Sequence, residues 1–267
     1  MVPRVMTDDF TSRELRVVNK RVHRLGLALN MGLNAEGLSA ALERGVNYLF
    51  WTRFRTGSLV PVLKQALARD REKYVVATGP TFGYFRGSVR RGCEAALKTL
   101  GTEYLDVYQL YWLGKTAAWS EGVIEELVKL KAEGKIRAIG VSIHDRERAG
   151  RLAEDSIIDL FMLRYNAAHP GAERDVFPHL EKRHPNVVAY TATSWRKLLK
   201  KPGRWDGAPM TAGDCYRFCL SSPHVDLVLT GPANLKELEE NLAALDEGPL
   251  SADETAWMRK FGQVVHG

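Results

Sequence analysis

The chain has 267 residues but only three cysteines, Cys93, Cys215 and Cys219. Three thiols cannot build a disulfide framework, which excludes the small stapled secreted scaffolds and makes a reducing cytoplasm the expected compartment. No apolar run approaches the roughly 18 residues that cross a bilayer, and Met1 to Arg21 is too polar for a secretory leader. Blocks of like charge are missing too. Lys and Arg number 38 against 32 Asp and Glu, a formal net charge of +6, but they are scattered along the chain. That distribution argues against a nucleic-acid or membrane partner and for a solvated basic surface or a small anionic ligand. Cys215 and Cys219, four apart on a predicted helix, have no second pair to complete a metal site and read as buried helix cysteines. Linkers, internal repeats and low-complexity segments are absent, and nothing in the pattern fixes an oligomeric state.

What is present is one repeated pattern. Arg137-Ala138-Ile139-Gly140-Val141-Ser142 is an apolar run entered through Gly134-Lys135, which stops a helix, and left through Ile143-His144-Asp145-Arg146. This is the form of a buried parallel strand. Seven further strands are predicted at 25–29, 47–51, 74–78, 105–111, 159–165, 187–191 and 225–230. Helices are predicted between and after them at 35–44, 58–68, 88–99 with Ser88 as cap, 120–132, 146–154, 173–182, 212–220 and 235–244, with a last one at 253–261. The first 24 residues read as basic and irregular, with a short hairpin closing the floor. The alternation predicts an α/β protein: a single (β/α)8 TIM barrel over 1–267 with an extra C-terminal helix, in keeping with the about 250 residues such barrels need.

In these barrels the reactive groups stand at the carboxyl ends of the strands. The residues so placed are Phe50, Trp51, Arg53 and Arg55; Gly79; Tyr111 and Trp112; Ser142 and His144; Arg164, Tyr165, Asn166 and His169; Tyr190, Thr191, Thr193 and Trp195; and Gly231 with Asn234. The set is aromatic and basic with almost no carboxylate, which favours a flat polar or anionic small molecule. Phe50, Trp51, Arg53, Arg164, Tyr165, Asn166 and Trp195 are the expected substrate contacts, with Trp195 as a lid. An Arg at a buried strand end needs an anion or a hydrogen-bond network. For Arg164 that partner is either a ligand phosphate or carboxylate, or Asp106 or Glu173 inside the fold.

Two long phrases occur in order and at a telling separation, Leu100-Gly101-Thr102-Glu103-Tyr104-Leu105-Asp106-Val107-Tyr108-Gln109-Leu110 and Gly134-Lys135-Ile136-Arg137-Ala138-Ile139-Gly140-Val141-Ser142. With Gly45-Val46-Asn47-Tyr48, Arg71-Glu72-Lys73-Tyr74-Val75-Val76-Ala77-Thr78 and Thr230-Gly231-Pro232-Ala233-Asn234-Leu235, they resemble the aldo-keto reductase family over nearly the whole chain. The resemblance implies NAD(P)(H) as cofactor, hydride transfer to or from a carbonyl, and a tetrad of Asp, Tyr, Lys and His in which the Lys lowers the pKa of the Tyr acid. Position by position the tetrad is gone. Phe50-Trp51-Thr52 replaces Asp-Thr-Ala, Arg55 replaces the Tyr, Gly79 the Lys and Tyr111 the His. The ordinary mechanism is therefore not expected.

The implied cofactor residues persist in part. Ser142 matches the Ser that holds the nicotinamide carboxamide, but Ile143 and Met162 stand where the family has Asn and Gln. Tyr190 matches the ring that stacks on nicotinamide, Thr191 replaces the next Ser, and Gly231, Asn234, Glu240 and Asn241 match phosphate and adenosine contacts. Glu237 falls where many relatives place Arg or Gln near the 2′-phosphate, and a carboxylate there favours NAD(H). Rebuilt chemistry would rest on Tyr111 facing Arg55 across the pocket and on His144, unless His144 is a surface residue bound to Asp145 or a backbone carbonyl. His144, His169 and Glu173 on separate loops are too thin a set for a metal, and none is expected. Three readings stand: an oxidoreductase with a non-standard active site, an inactive cofactor- or ligand-binding pseudoenzyme, and a nicotinamide-independent lyase or isomerase using Tyr111, His144 and Arg164.

Overall fold

The computed structural model describes residues 10–203 and 205–266. Its strands are apolar runs buried on both faces, as a parallel sheet covered by helices requires. After an antiparallel hairpin of β1 (Ser12–Leu15) and β2 (Lys20–His23) come eight staves: β3 (Leu25–Ala28), β4 (Tyr48–Phe50), β5 (Val75–Thr78), β6 (Leu105–Leu110), β7 (Ile136–Ile143), β8 (Leu160–Arg164), β9 (Asn186–Tyr190) and β10 (Leu227–Thr230). All eight run parallel, each beside its neighbour in sequence, and β10 pairs with β3 to close the barrel. The helices are α1 (Ala35–Glu43), α2 (Val60–Arg69), α3 (Arg86–Leu100), α4 (Glu121–Ala132), α5 (Arg146–Glu154), α6 (Ala172–Asp175), α7 (Ala212–Leu220), α8 (Leu235–Ala243) and α9 (Ala252–His266).

Side chains alternate along each stave and divide the core in two. Tyr48, Phe50, Val75, Ala77, Val107, Leu160 and Met162 fill the lumen, together with Leu15, Val18 and Val22 from the hairpin, which plugs the floor as predicted. The part of that prediction covering residues 1–9 lies outside the described residues. Leu49, Trp51, Val76, Tyr108, Ile139, Phe161 and Tyr165 point outward to the helices. The floor is stitched by Asp106, fully buried, which meets Lys20 Nζ at 2.8 Å and Arg71 Nη2 at 2.7 Å and accepts the Val76 N–H. Among the described residues no helix is long and apolar enough to cross a membrane.

Two local expectations change. The helix predicted at 173–182 is a single turn, α6, followed by a 3-10 turn at Phe177–Leu180, because Pro178 removes a backbone donor and breaks the ladder. Ser88 is not the cap of α3 but its third residue; its hydroxyl accepts the Phe85 N–H from inside the first turn. The appended helix is present as α9 and is longer than predicted.

Candidate functional site

Two clefts open at the carboxyl ends of the staves. The larger, about 590 Å³, runs from Phe50 and Met162 in the mouth past Tyr190, Thr191 and Trp195 to Gly231, Glu237 and Asn241. Its wall is shaped by the segment after β9, where Thr191, Ser194, Trp195 and Arg196 all have positive φ, between +49° and +66°. Buried Asn166 fixes the start of that segment: its Nδ2 donates to the Thr191 carbonyl at 2.8 Å and its Oδ1 accepts the Ala168 N–H at 3.0 Å. The Thr191 Oγ1 itself is buried, with no hydrogen-bond partner among the described residues. At the far end, Asn234 caps α8 by accepting the Glu237 N–H, and Glu237 folds back so that its Oε2 accepts the Ala233 N–H at 2.9 Å. Asn241 donates to Thr230 Oγ1 at 3.1 Å.

The smaller cleft, about 390 Å³, lies over the ends of β6, β7 and β8 and is lined by Trp112, Lys115, His144, Arg146 and Arg164. His144 joins the two clefts, with its Nε2 3.0 Å from the hydroxyl of Tyr190. Burial, the nearby Arg164 and Lys115 hold the His144 imidazole below its ordinary pKa, so it is neutral at neutral pH. Burial likewise pushes the Tyr190 phenol up to about 12, opposed by Arg164. Neither Asp106 nor Glu173 partners Arg164: Asp106 is held by Lys20 and Arg71, and Glu173 by Arg259 and Tyr165.

His169, on the loop after β8, is held down to about 4 by burial and then by Arg164, His266, Lys197 and Arg146. An unfolded histidine binds its proton near pH 6.5, so between about 6.5 and 4 the unfolded chain takes up a proton that the folded one refuses, and stability falls as pH falls. Exchange of His169 for Gln should reduce the loss between pH 7.5 and 4.5 by about 1–2 kcal/mol, read from urea midpoints at the two pH values. An unchanged pH dependence would contradict the assignment.

The predicted site residues separate by the face they occupy. Phe50 faces the lumen and meets Tyr111 edge to face at 5.8 Å. Tyr190, Thr191, Trp195, Gly231, Glu240 and Asn241 line the larger cleft; Arg164 and His144 line the smaller. The others line neither cleft and are placed elsewhere. Trp51 is 1% exposed in the outer layer, and Tyr165, 2% exposed, packs between Phe177 and Phe218 with its hydroxyl 2.6 Å from Glu173, because each is one residue out of register with the lumen face. Asn166 is spent on backbone groups. Ser142 Oγ accepts the Trp112 N–H at 2.8 Å and so positions the loop after β6. Asn234 serves as a helix cap outside the cleft lining. Arg53 is exposed, and Arg55, also exposed, lies over the ring of Phe54 at 4.9 Å instead of facing Tyr111.

Tyr111 therefore has no cation to stabilise its phenolate. Burial drives its pKa far up, opposed only by Thr78 and Gly79; its hydroxyl is sealed without a hydrogen bond of normal geometry, and it lines neither cleft. Residues that sequence reasoning missed include Ala28, Asn30 and Met31 in the larger cleft and Lys115 and Arg146 in the smaller. Ala28 ends β3 and Asn30 and Met31 follow it, a signal that was available. Lys115 and Arg146 lie beyond the strand ends and are brought in only by the fold.

Residues 28–201 match the model of the aldo/keto reductase family. The chain is 30% identical to methylglyoxal reductase YeaE of Escherichia coli K12 over 160 residues, 58% of this chain and 55% of that one. It is 28% identical to the NADH-specific methylglyoxal reductase of the same organism over 213 residues, 67% of this chain and 65% of that one. The chain thus spans between about half and two thirds of these relatives. Among solved structures, the holo form of aldo-keto reductase AKR11C1 from Bacillus halodurans superposes with a TM-score of 0.79 at 21% identity, covering 94% of this chain and 96% of that one. With a closed parallel barrel and a family match across most of its staves, this chain belongs to the aldo/keto reductase family.

Proposed function

We propose that this protein is an oxidoreductase-type barrel that holds a nicotinamide dinucleotide along the larger cleft, NAD(H) in preference to NADP(H), and acts on a polar small molecule with a non-standard set of proton-carrying residues. The observation that carries the reading is the course of the cleft from Tyr190 to Asn241 past the Thr191 hydroxyl, a buried polar atom with no protein partner. A buried hydroxyl left unpaired costs about 1–3 kcal/mol, which a ligand oxygen or amide would recover once the Thr191 side chain turns its Oγ1 into the cleft. Bound there, the dinucleotide would supply a hydride donor or acceptor.

The fit is uneven along the cleft. At the adenosine end Gly231, Glu240 and Asn241 remain available, and the Glu237 carboxylate already holds the Ala233 N–H. That carboxylate disfavours a 2′-phosphate by charge and by occupying the donor. At the other end Ile143 and Met162 offer no amide, and Ser142 keeps only its own proton to donate once its oxygen has accepted Trp112 N–H. Tyr190 provides a flat ring, and the Tyr190–His144 pair is the proton-carrying couple that borders both clefts. The reading with Tyr111 as acid–base partner loses support because that hydroxyl is sealed. Binding without turnover remains the second reading, favoured by the same sealed phenol.

Titration with NADH and NADPH, followed by quenching of tryptophan fluorescence, tests the proposal. NADH should bind at least about tenfold more tightly than NADPH, and Glu237→Arg should narrow or reverse that ratio by removing a repulsion and adding a phosphate partner. Absence of binding by either nucleotide would remove the oxidoreductase reading.

A further inference from the structure

We propose that the smaller cleft, over the ends of β6, β7 and β8, is an oxyanion site for a small molecule bearing a doubly charged group, a phosphate ester or a dicarboxylate. This deepens the reading above by naming the class of the second ligand; it rests on that reading only in placing chemistry at this rim and requires no dinucleotide.

Three cations reach the cleft from three successive staves: Lys115 after β6, Arg146 after β7 and Arg164 at the end of β8. One is paired at the surface, Arg146 Nε lying 2.8 Å from Asp175 Oδ2. Among the described residues, the side chains of Arg164 and Lys115 meet no carboxylate and donate no hydrogen bond. The two carboxylates that an internal role for Arg164 would call on are already committed elsewhere, Asp106 at the floor and Glu173 with Arg259. The remaining charge is therefore two positive groups around one opening, with neutral His144 beside them.

The surroundings carry the same sign. The charged neighbours that act on His144 are Arg164 and Lys115, and those that act on His169 are Arg164, His266, Lys197 and Arg146; no carboxylate is among them. Like charges gathered without a counter-ion weaken a fold, and such costs persist where function uses the charge. Arg164 is half-buried, so its planar fork is partly desolvated, which suits paired oxygens of phosphate or carboxylate. The Trp112 ring, 5.6 Å from that of His144, supplies an apolar wall for the rest of the molecule.

The test uses the full chain with no nucleotide, so that its outcome is independent of the dinucleotide reading. Melting temperature is followed in phosphate, in malonate and in chloride at matched ionic strength. Phosphate stabilises many proteins by exclusion from their surfaces, so the decisive comparison is between proteins. The wild type and Lys98→Met, a charge removal on the exposed side of α3, should share a shift beyond that of chloride. Arg164→Met should lose at least about four fifths of it, with a melting temperature in chloride equal to or above that of the wild type. Calorimetric affinity for the stronger anion should fall at least about tenfold in Arg164→Met. If Arg164→Met does not fold, Lys115→Met on its exposed turn decides, with a loss of about threefold or more in affinity and no change in melting. A stronger effect of phosphate assigns a phosphate ester and a stronger effect of malonate a dicarboxylate. Equal shifts in the wild type and Arg164→Met, an unchanged Lys115→Met where that variant decides, or no shift beyond chloride, would overturn the site.

Discussion

Given NADPH or NADH and 4-nitrobenzaldehyde, this protein should turn over at least about a hundred-fold more slowly than an aldo-keto reductase with its acid intact. Positioned general acids contribute about a hundred- to ten-thousand-fold, and among the described residues no group at the mouth is tuned for the task at neutral pH. Phe50 stands in the mouth where the resemblance implies an Asp, and Arg55 lies on Phe54 at the surface. Gly79 offers no ammonium, and the Tyr111 phenol is sealed and held far above its ordinary pKa by burial. The remaining phenol at the opening, Tyr190, is pushed up to about 12 with no lysine to lower it. Its neighbour His144 is neutral at neutral pH, since burial and Arg164 depress its pKa. The small turnover that remains should therefore grow as pH falls, with the rise displaced to lower pH than a free imidazole would give. Initial rates of NADH and NADPH consumption across pH 5–8 provide the measurement. Activity within about tenfold of an intact relative would mean that a replacement acid works well, and the Tyr190–His144 pair would be the first place to look.

Much of this was legible in the chain, and the parts that were not share a cause. The staves could be read because a strand buried on both faces is a short apolar run, as at 137–142, and the glycine stops mark the helix ends. Membership of the rim followed from the strand ends. Which rim residues face a ligand did not, although the two-residue period held part of the answer. Phe50 points in and Trp51 out, Met162 and Arg164 in and Tyr165 out, and applying that period would have withdrawn Trp51 and Tyr165 from the site at once. The loop after β9 was beyond such reasoning. Its run of positive φ at Thr191, Ser194, Trp195 and Arg196 is imposed by tertiary contacts such as Asn166 to the Thr191 carbonyl, on residues with no local preference for it. The basic cleft was hidden for the same reason, since Lys115 and Arg164 are separated in the chain and meet only once β6, β7 and β8 stand side by side.

Restoring the family's lysine at position 79 should fail, and even Gly79→Ala should destabilise the protein by about 3 kcal/mol or more. A Cβ built on Gly79 would lie 1.9 Å from the carbonyl oxygen of Gln109 and 3.1 Å from Tyr111 Cζ. The first of these is backbone, so rotating a side chain gives no relief. Nor is the segment able to slide away. Pro80 follows and restricts residue 79 to extended conformations, and Pro80 is itself packed on α3, where a Cβ on Gly92 would come within 2.8 Å of Pro80 Cβ. The strand end is thus clamped between Gln109 on one side and the helix on the other, and the Tyr111 hydroxyl end stands over it. Where the resemblance implies a lysine at 79 and a histidine at 111, the space beside Gly79 is taken by the Gln109 carbonyl and the end of the Tyr111 ring. For a chain of this size a loss of 3 kcal/mol lowers the melting temperature by about 6–12 °C. Gly57→Ala is the control, because a Cβ there meets nothing within 4 Å. Gly79→Lys combined with Tyr111→His should melt as low as Gly79→Ala or lower and should gain no aldehyde reduction, since the clash with the Gln109 carbonyl remains. A Gly79→Ala variant that melts within about 2 °C of the wild type would show that the strand end is open, and the account of why the lysine cannot return would fail with it.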